Sequence, residues 1–232
     1  MTTPQKSFWA GARAEIPLLI GVAPFGIIYG VLALNAGLTR AAAQGMSSIV
    51  FAGSSQFITT QLVQDAVPGL IIVLTIAVVN LRHMLYSASV ATYVRALPMR
   101  WKVLLSYLLT DEAYAVTILH YENDDPPDGR WFFFGAGLAL WTTWQASTAA
   151  GILVGTTLPE SWPLDFALPL TFIAIVIPAL KDRPAVAAAL SAGAVALMAY
   201  SLPYKLGLML AGVIGILVGT LLEGRKSPGR TL

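Results

Sequence analysis

The chain contains no cysteine, which excludes disulfides, thiolate metal centres and cysteine nucleophiles at the outset. Charge is scarce as well: Asp, Glu, Lys and Arg together make up 11% of the 232 residues, where a soluble domain carries about 25%. A globule so poor in ionisable groups cannot present a wetted shell. With 56% hydrophobic residues and a mean hydropathy of +0.72, the solvent it calls for is lipid. The net charge of +2 and the lack of a basic stripe give no reason to expect a nucleic-acid partner. No phosphate-binding glycine loop, Ser–His arrangement or metal-spaced histidine pair occurs, so neither a metal nor a cofactor is expected, and an enzyme is disfavoured. The first residues, MTTPQKSFWAGARAEIP, lack a short apolar core ending at a small-residue cleavage site, and the first apolar run therefore reads as a retained helix.

What the chain does have is a series of long apolar runs. A helix that crosses a bilayer needs about 20 mostly apolar residues. Runs of that kind fall at 15–36, 42–64, 67–92, 101–120, 131–155, 164–180, 184–202 and 205–222. The expected fold class is an all-α polytopic membrane protein with about eight hydrophobic segments and six to eight crossings, some broken or re-entrant. Short connections imply one transmembrane transporter domain over 1–232. The polar stretch HYENDDPPDGR at 120–130 divides it into two halves. If every segment crosses and the N-terminus is inside, Lys6, Arg13, Arg130, Lys181, Arg183, Arg225, Lys226 and Arg230 lie inside, while Arg40, Arg95, Arg100, Lys102 and Lys205 lie outside. The outer cluster Arg95, Arg100 and Lys102 sits awkwardly there, as does an acidic inner turn at 120–130. Re-entrance of the second segment and of the fifth or sixth would relieve both.

Ionisable residues at the wrong depth carry the functional signal. Asn80, Arg82 and His83 fall near the middle of PGLIIVLTIAVVNLRHMLYSASVATYV (68–94), and Asp111 and Glu112 near the middle of WKVLLSYLLTDEAYAVTILH (101–120). Pro98 ends the first of these, so the two are expected to form an antiparallel hairpin turning near Leu97. Arg82 lies 15 residues before Leu97, and Asp111 and Glu112 lie 14 and 15 after it, which sets opposite charges at one level. Such groups mark substrate or proton pathways, although an ion pair can also simply bolt helices together. His83 is a candidate proton carrier because imidazole titrates near physiological pH, or else a packing residue. His120, at the mouth of the polar turn, reads as solvated.

Two further stretches suggest a polar spot between helices. IPLLIGVAPFGIIYGVLAL (16–34) holds Pro24 in its interior, where a proline removes an amide and clashes with the preceding turn. The helix is expected to unwind around Pro24, leaving the amides of Phe25, Gly26 and Ile27 free to hold a carboxylate. The alternative is a packing kink, with Gly26 and Gly30 forming a small-residue contact face. FAGSSQF (51–57) places Gly53, Ser54, Ser55 and Gln56 in an apolar run, as site lining or as interhelical glue. Asp165 of WPLDFALPLTFIAIVIPALK (162–181) reads as a helix cap.

Taken in order, the P-x-x-x-G-V-x-P-F-G pattern from Pro17 to Gly26, FAGSSQF, NLRHMLY (80–86), TDEAYA (110–115) and LDFALPLTFIAIVIPALK (164–181) resemble the AzlC family, the large subunits of bacterial branched-chain amino acid exporters. The resemblance implies a multi-pass permease of the bacterial cytoplasmic (inner) membrane. It would export leucine, isoleucine and valine, and in some members methionine, together with a small AzlD-type membrane subunit. Combined with the charged residues, this leads to an expected secondary transporter for a small zwitterion, coupled to a proton gradient. In that scheme the Phe25, Gly26 and Ile27 amides take the carboxylate, and Asp111 or Glu112 takes the ammonium. Arg82 keeps the acids ionised, and His83 or Glu112 carries the proton. The competing classes are a membrane-embedded enzyme using Asp111 and Glu112, and a channel or structural subunit.

Overall fold

The computed structural model describes residues 3–124, 129–155, 180, 182–202 and 206–224. The chain divides into two compact units, one of residues 1–66 and 76–162, the other of residues 67–75 and 163–232.

The first unit is organised around two long helices, α1 (Pro4–Asn35) and α8 (Gly129–Gly155). Thr3 caps α1 by accepting a hydrogen bond from the Lys6 amide (3.4 Å), and Pro4 occupies the first turn, where its missing N–H costs nothing. The expected unwinding at Pro24 does not occur: α1 runs unbroken through both Pro17 and Pro24. An interior proline costs about 3 kcal/mol, but unwound backbone in hydrocarbon would strand several polar groups at several kcal/mol each. The small-residue face along α8 packs closely against it. A Cβ on Gly11 would overlap the Phe132 carbonyl, one on Gly26 the Ser147 hydroxyl, one on Gly135 the Phe8 carbonyl and one on Gly151 the Ile27 carbonyl. Facing residue numbers rise together, so α1 and α8 run parallel.

Between them in the chain come shorter helices in interrupted pairs, α4 falling mostly in the second unit. α2 (Arg40–Val50) and α3 (Gly53–Gln64) are separated by Phe51, in the left-handed region at φ 40°, and by extended Ala52. α4 (Gly69–Val79) and α5 (Leu81–Val94) are separated by Asn80 alone. α6 (Met99–Tyr107) and α7 (Asp111–Asp124) are separated by residues 108–110. Pro4–Asn35 and Gly69–Val94 are long and apolar enough to cross a membrane.

The run at 101–120 is not the single helix expected. Trp101 packs on Trp131 and Phe134, Tyr107 meets Trp141, and Leu108 abuts Gly137, so α6 is parallel to α8. Tyr121 and His120 lie against Gly129 and Phe132 at the start of α8, so α7 comes back toward the end where α6 began. The two form a helical V with its tip at 108–110. This overturns the antiparallel hairpin as well. Tyr86 stacks on Tyr114 and Tyr93 on Tyr121, with centroids 4.6 and 4.7 Å apart, so α5 and α7 run parallel.

A consequence is that Lys6, Arg13, Arg95, Arg100, Lys102 and Arg130 gather at one end of this unit, near an aromatic cluster of Phe8, Trp9, Trp101, Trp131 and Phe134. Arg130 lies over the Trp101 ring, 5.6 Å from its centroid. Clustered Trp with basic residues is the pattern of a membrane–water interface. Large apolar side chains face outward around a mixed core: Ile20, Ile49 and Leu85 are 74%, 80% and 72% exposed, while Ser47, Ser55, Gln56, Thr117 and Thr148 are fully buried beside Tyr29 and Phe133.

In the second unit α9 (Arg183–Met198) is capped by Asp182, whose Oδ1 accepts from the Ala185 amide at 2.8 Å. It pairs with α10 (Leu206–Gly224), Gly207 facing Ala199, Gly215 facing Ala192 and Gly219 facing Ala188. Here facing numbers run in opposite senses, as in an antiparallel hairpin. The segment expected at 164–180, with Asp165, lies outside the described residues apart from Leu180.

Candidate functional site at three helix breaks

The breaks in α2/α3, α4/α5 and α6/α7 converge. The Arg82 guanidinium sits at the centre, Nη1 2.6 Å from Asp111 Oδ2 and Nη2 donating to Ser54 Oγ at 2.6 Å. Beside it the Ser55 hydroxyl donates to Asn80 Oδ1 at 2.6 Å. Ser54, Ser55, Asn80, Arg82 and Asp111 thus form one connected cluster from three elements. Arg82 and Asp111 remain 32% and 37% exposed, so the pair is reachable and not sealed in the core.

Local chemistry explains why each break sits where it does. α3 starts at Gly53 with no side-chain cap from Ala52, which leaves the first-turn amides of Gly53, Ser54 and Ser55 without intrahelical partners, the arrangement that suits an anion. Gly53 faces the Trp144 ring edge, where a Cβ would lie 3.1 Å from the nearest carbon. The Ala113 amide donates to Thr110 Oγ1 at 3.4 Å at the head of α7, and Asp111 and Glu112 fill its first turn. Carboxylates there complement the helix dipole, so the site's acids are also the residues that start the helix.

A second layer holds this cluster in place. Trp144 Nε1 donates to Gln56 Oε1 at 3.0 Å, the Trp144 ring stacks on Tyr29, and the Tyr29 hydroxyl donates to the Ala43 carbonyl at 2.8 Å. Tyr107 bridges two breaks: its ring lies 5.9 Å from that of Phe51, its hydroxyl donates to the Ser48 carbonyl, and it accepts from Trp141 Nε1 at 2.7 Å. Gln145 accepts from Gln44 and Ser48, and Ser47 bonds Thr148 at 3.1 Å. Of these supporting residues only Gln56 was singled out in the sequence; Tyr29, Gln44, Ser47, Ser48, Tyr107, Trp141, Trp144, Gln145 and Thr148 were not. Thr110 before two acids was the readable signal for the start of α7.

Other expected residues are placed differently. Pro24, Phe25, Gly26 and Ile27 lie within unbroken α1, the amides of Phe25, Gly26 and Ile27 committed to the helix, with Gly26 and Ile27 in the seam against α8 and the Phe25 ring 6.4 Å from Phe57. The unbroken backbone removes the free amides assumed there, and the small-residue contact face is what forms. His83 lies next to the cluster, its ring 5.9 Å from Tyr86. Asp111 takes the ion pair with Arg82, and Glu112 follows it in the same turn. His120 stacks on Phe132 at 3.7 Å and is not simply solvated.

An apolar exterior around a polar cluster at helix breaks defines a helical membrane protein, and comparison with known sequences makes the class specific. The profile of the family described as AzlC protein matches residues 17–158. An uncharacterized membrane protein of Archaeoglobus fulgidus is 33% identical over 94% of both chains. Inner membrane protein YgaZ of Escherichia coli is 25% identical over 91% of both. Branched-chain amino acid transport protein AzlC of Bacillus subtilis is 27% identical over 75% of this chain and 69% of its own. No solved structure matches. The chain belongs to the AzlC family of membrane proteins.

Proposed function

We propose that the protein is a secondary transporter that exports branched-chain amino acids, leucine, isoleucine and valine, from the cytoplasm across the inner membrane, driven by a proton gradient and assisted by a small AzlD-type membrane subunit. The family and the name of the Bacillus subtilis relative support the substrate class. The observation that carries the site is the 2.6 Å Arg82–Asp111 pair at the meeting of three helix breaks. An amino acid zwitterion is the electrical mirror of that pair. Its carboxylate can take the guanidinium and the uncapped α3 amides, and its ammonium can take Asp111 or Glu112, so binding replaces one ion pair by two without burying net charge. Glu112 or His83 carries the coupling proton. The basic end of the first unit faces the cytoplasm in this reading.

The test is efflux of labelled leucine from preloaded cells. Asp111→Asn and Arg82→Ala are each expected to abolish saturable efflux at normal membrane abundance. Wild-type efflux by both folded variants would leave the cluster an architectural bolt and reject this site.

A further inference from the structure

The candidate site makes no use of the basic and aromatic end of the first unit. Among the described residues the ion pair that forms is Arg82–Asp111, so none of the six cations gathered at that end is neutralised by a described carboxylate. The acids nearest in the chain are Glu122 and Asp124 in the last turn of α7, followed in the sequence by Asp125 and Asp128. Six cations against four acids leave this end net positive.

One of the cations is held rigidly. The Arg130 guanidinium lies over the Trp101 ring, and that ring meets Trp131 edge-on at 4.8 Å. Neither Arg130 Nε nor Trp131 Nε1 has a hydrogen-bond partner among the described residues. A guanidinium stacked on an aromatic face keeps its planar fork for an oxyanion and loses little side-chain freedom on binding one. Arg100 and Lys102 flank Trp101 in the first turn of α6, Arg100 exposed and Lys102 half-buried.

Beyond these cations the outer surface of α6 is apolar. Met99, Val103 and Tyr107 follow one another every four residues, the spacing of one helix face, and all three are exposed. α6 runs from the interface inward to the tip of the V, so this face leads from the cations into the depth of the layer, toward the break at 108–110.

We infer that this end binds an anionic phospholipid, its headgroup phosphate on Arg130, Arg100 and Lys102 and an acyl chain along Met99, Val103 and Tyr107. A free phosphate would satisfy the cations alone; the apolar face continuous with them selects a lipid. A zwitterionic headgroup brings an ammonium that the cations repel, so the site discriminates by headgroup charge. The acyl chain ends against Tyr107, the residue that bridges two of the helix breaks, and a bound lipid therefore braces the element beside the candidate site. The inference holds whether or not the chain transports amino acids.

The test is a titration of the full-length protein in neutral detergent with short-chain phosphatidylglycerol, read by tryptophan fluorescence, since Trp101 and Trp131 lie at the site. A saturable change is expected with phosphatidylglycerol and not with phosphatidylcholine of the same chains or with inorganic phosphate. Each cation near an anionic headgroup is worth about fivefold in affinity, so the double variant Arg100→Gln, Lys102→Gln should raise the half-saturating concentration ~25-fold. Arg40→Gln, at the start of α2 beyond the far end of α1, should leave it unchanged. An equal response to phosphatidylcholine or to inorganic phosphate overturns the inference, as does a double variant that binds like wild type or an Arg40→Gln variant that loses as much.

Discussion

Within the first unit, individual side chains do their work through partners on other elements. Gln56 is completely buried, and its Oε1 is satisfied by Trp144 Nε1 at 3.0 Å. Trp144→Phe keeps the stacking on Tyr29 but removes that donor. Stranding a buried acceptor costs about 1–3 kcal/mol, and thermal unfolding in detergent should show a loss of that order; a variant as stable as wild type would mean that Gln56 finds another donor. The charged residues behave in the same linked way. Asp111 serves twice, as the partner of Arg82 and as a favourable charge in the first turn of α7, so removal of its carboxylate weakens a helix start along with an ion pair.

At the scale of elements, the α1–α8 seam is the part least able to change. The Ile27 carbonyl occupies the space that a side chain at Gly151 would need, while a Cβ at Gly21 meets nothing within 4 Å. Enlarging a well-packed position costs about 1–3 kcal/mol. Gly151→Leu is therefore expected to lower the unfolding temperature clearly, and Gly21→Ala to leave it unchanged or raise it. Equal effects from the two would show that the close approach is absent. The same seam accounts for the continuity of α1 through Pro24, because a helix clamped along its length by backbone contact has no room to unwind. Breaks appear instead in the shorter elements, at Phe51, Asn80 and residues 108–110.

At the scale of the whole molecule, the V of α6 and α7 revises the topology. Trp101 against Trp131 brings the start of α6 to the start of α8, so Arg100 and Arg130 share one end of the first unit. Since the chain has no cysteine, single Arg100→Cys and Arg130→Cys variants can be labelled without background. A membrane-impermeant thiol reagent should reach both from the same side, and labelling from opposite sides would refute the V. The break in the fourth apolar run thereby eases the awkward charge count at a segment where no re-entrance was expected. Six basic residues fall together, and the acids of 120–130 weigh little against them, since acids contribute weakly to orientation.

By itself the sequence determined that lipid is the solvent and that the elements are helices, as they are among the described residues, and it pointed to Ser54, Ser55, Asn80, Arg82 and Asp111 along with Pro24, Phe25, Gly26 and Ile27, whose backbone stays helical. Those conclusions follow from composition and from the cost of charge at depth, which are properties of residues read one at a time or along one helix. It also determined the limits of three helices, since α8, α9 and α10 begin and end close to the apolar runs expected there. Tertiary structure alone decided chain direction and which breaks are real. Arg82 and Asp111 meet as expected, yet on parallel helices, because depth constrains how far a residue lies into the layer and says nothing about the sense in which its helix travels. Pro24 stays helical and Ala52 does not, because a backbone breaks where neighbours leave it space and partners, and neighbours are set by packing across the fold.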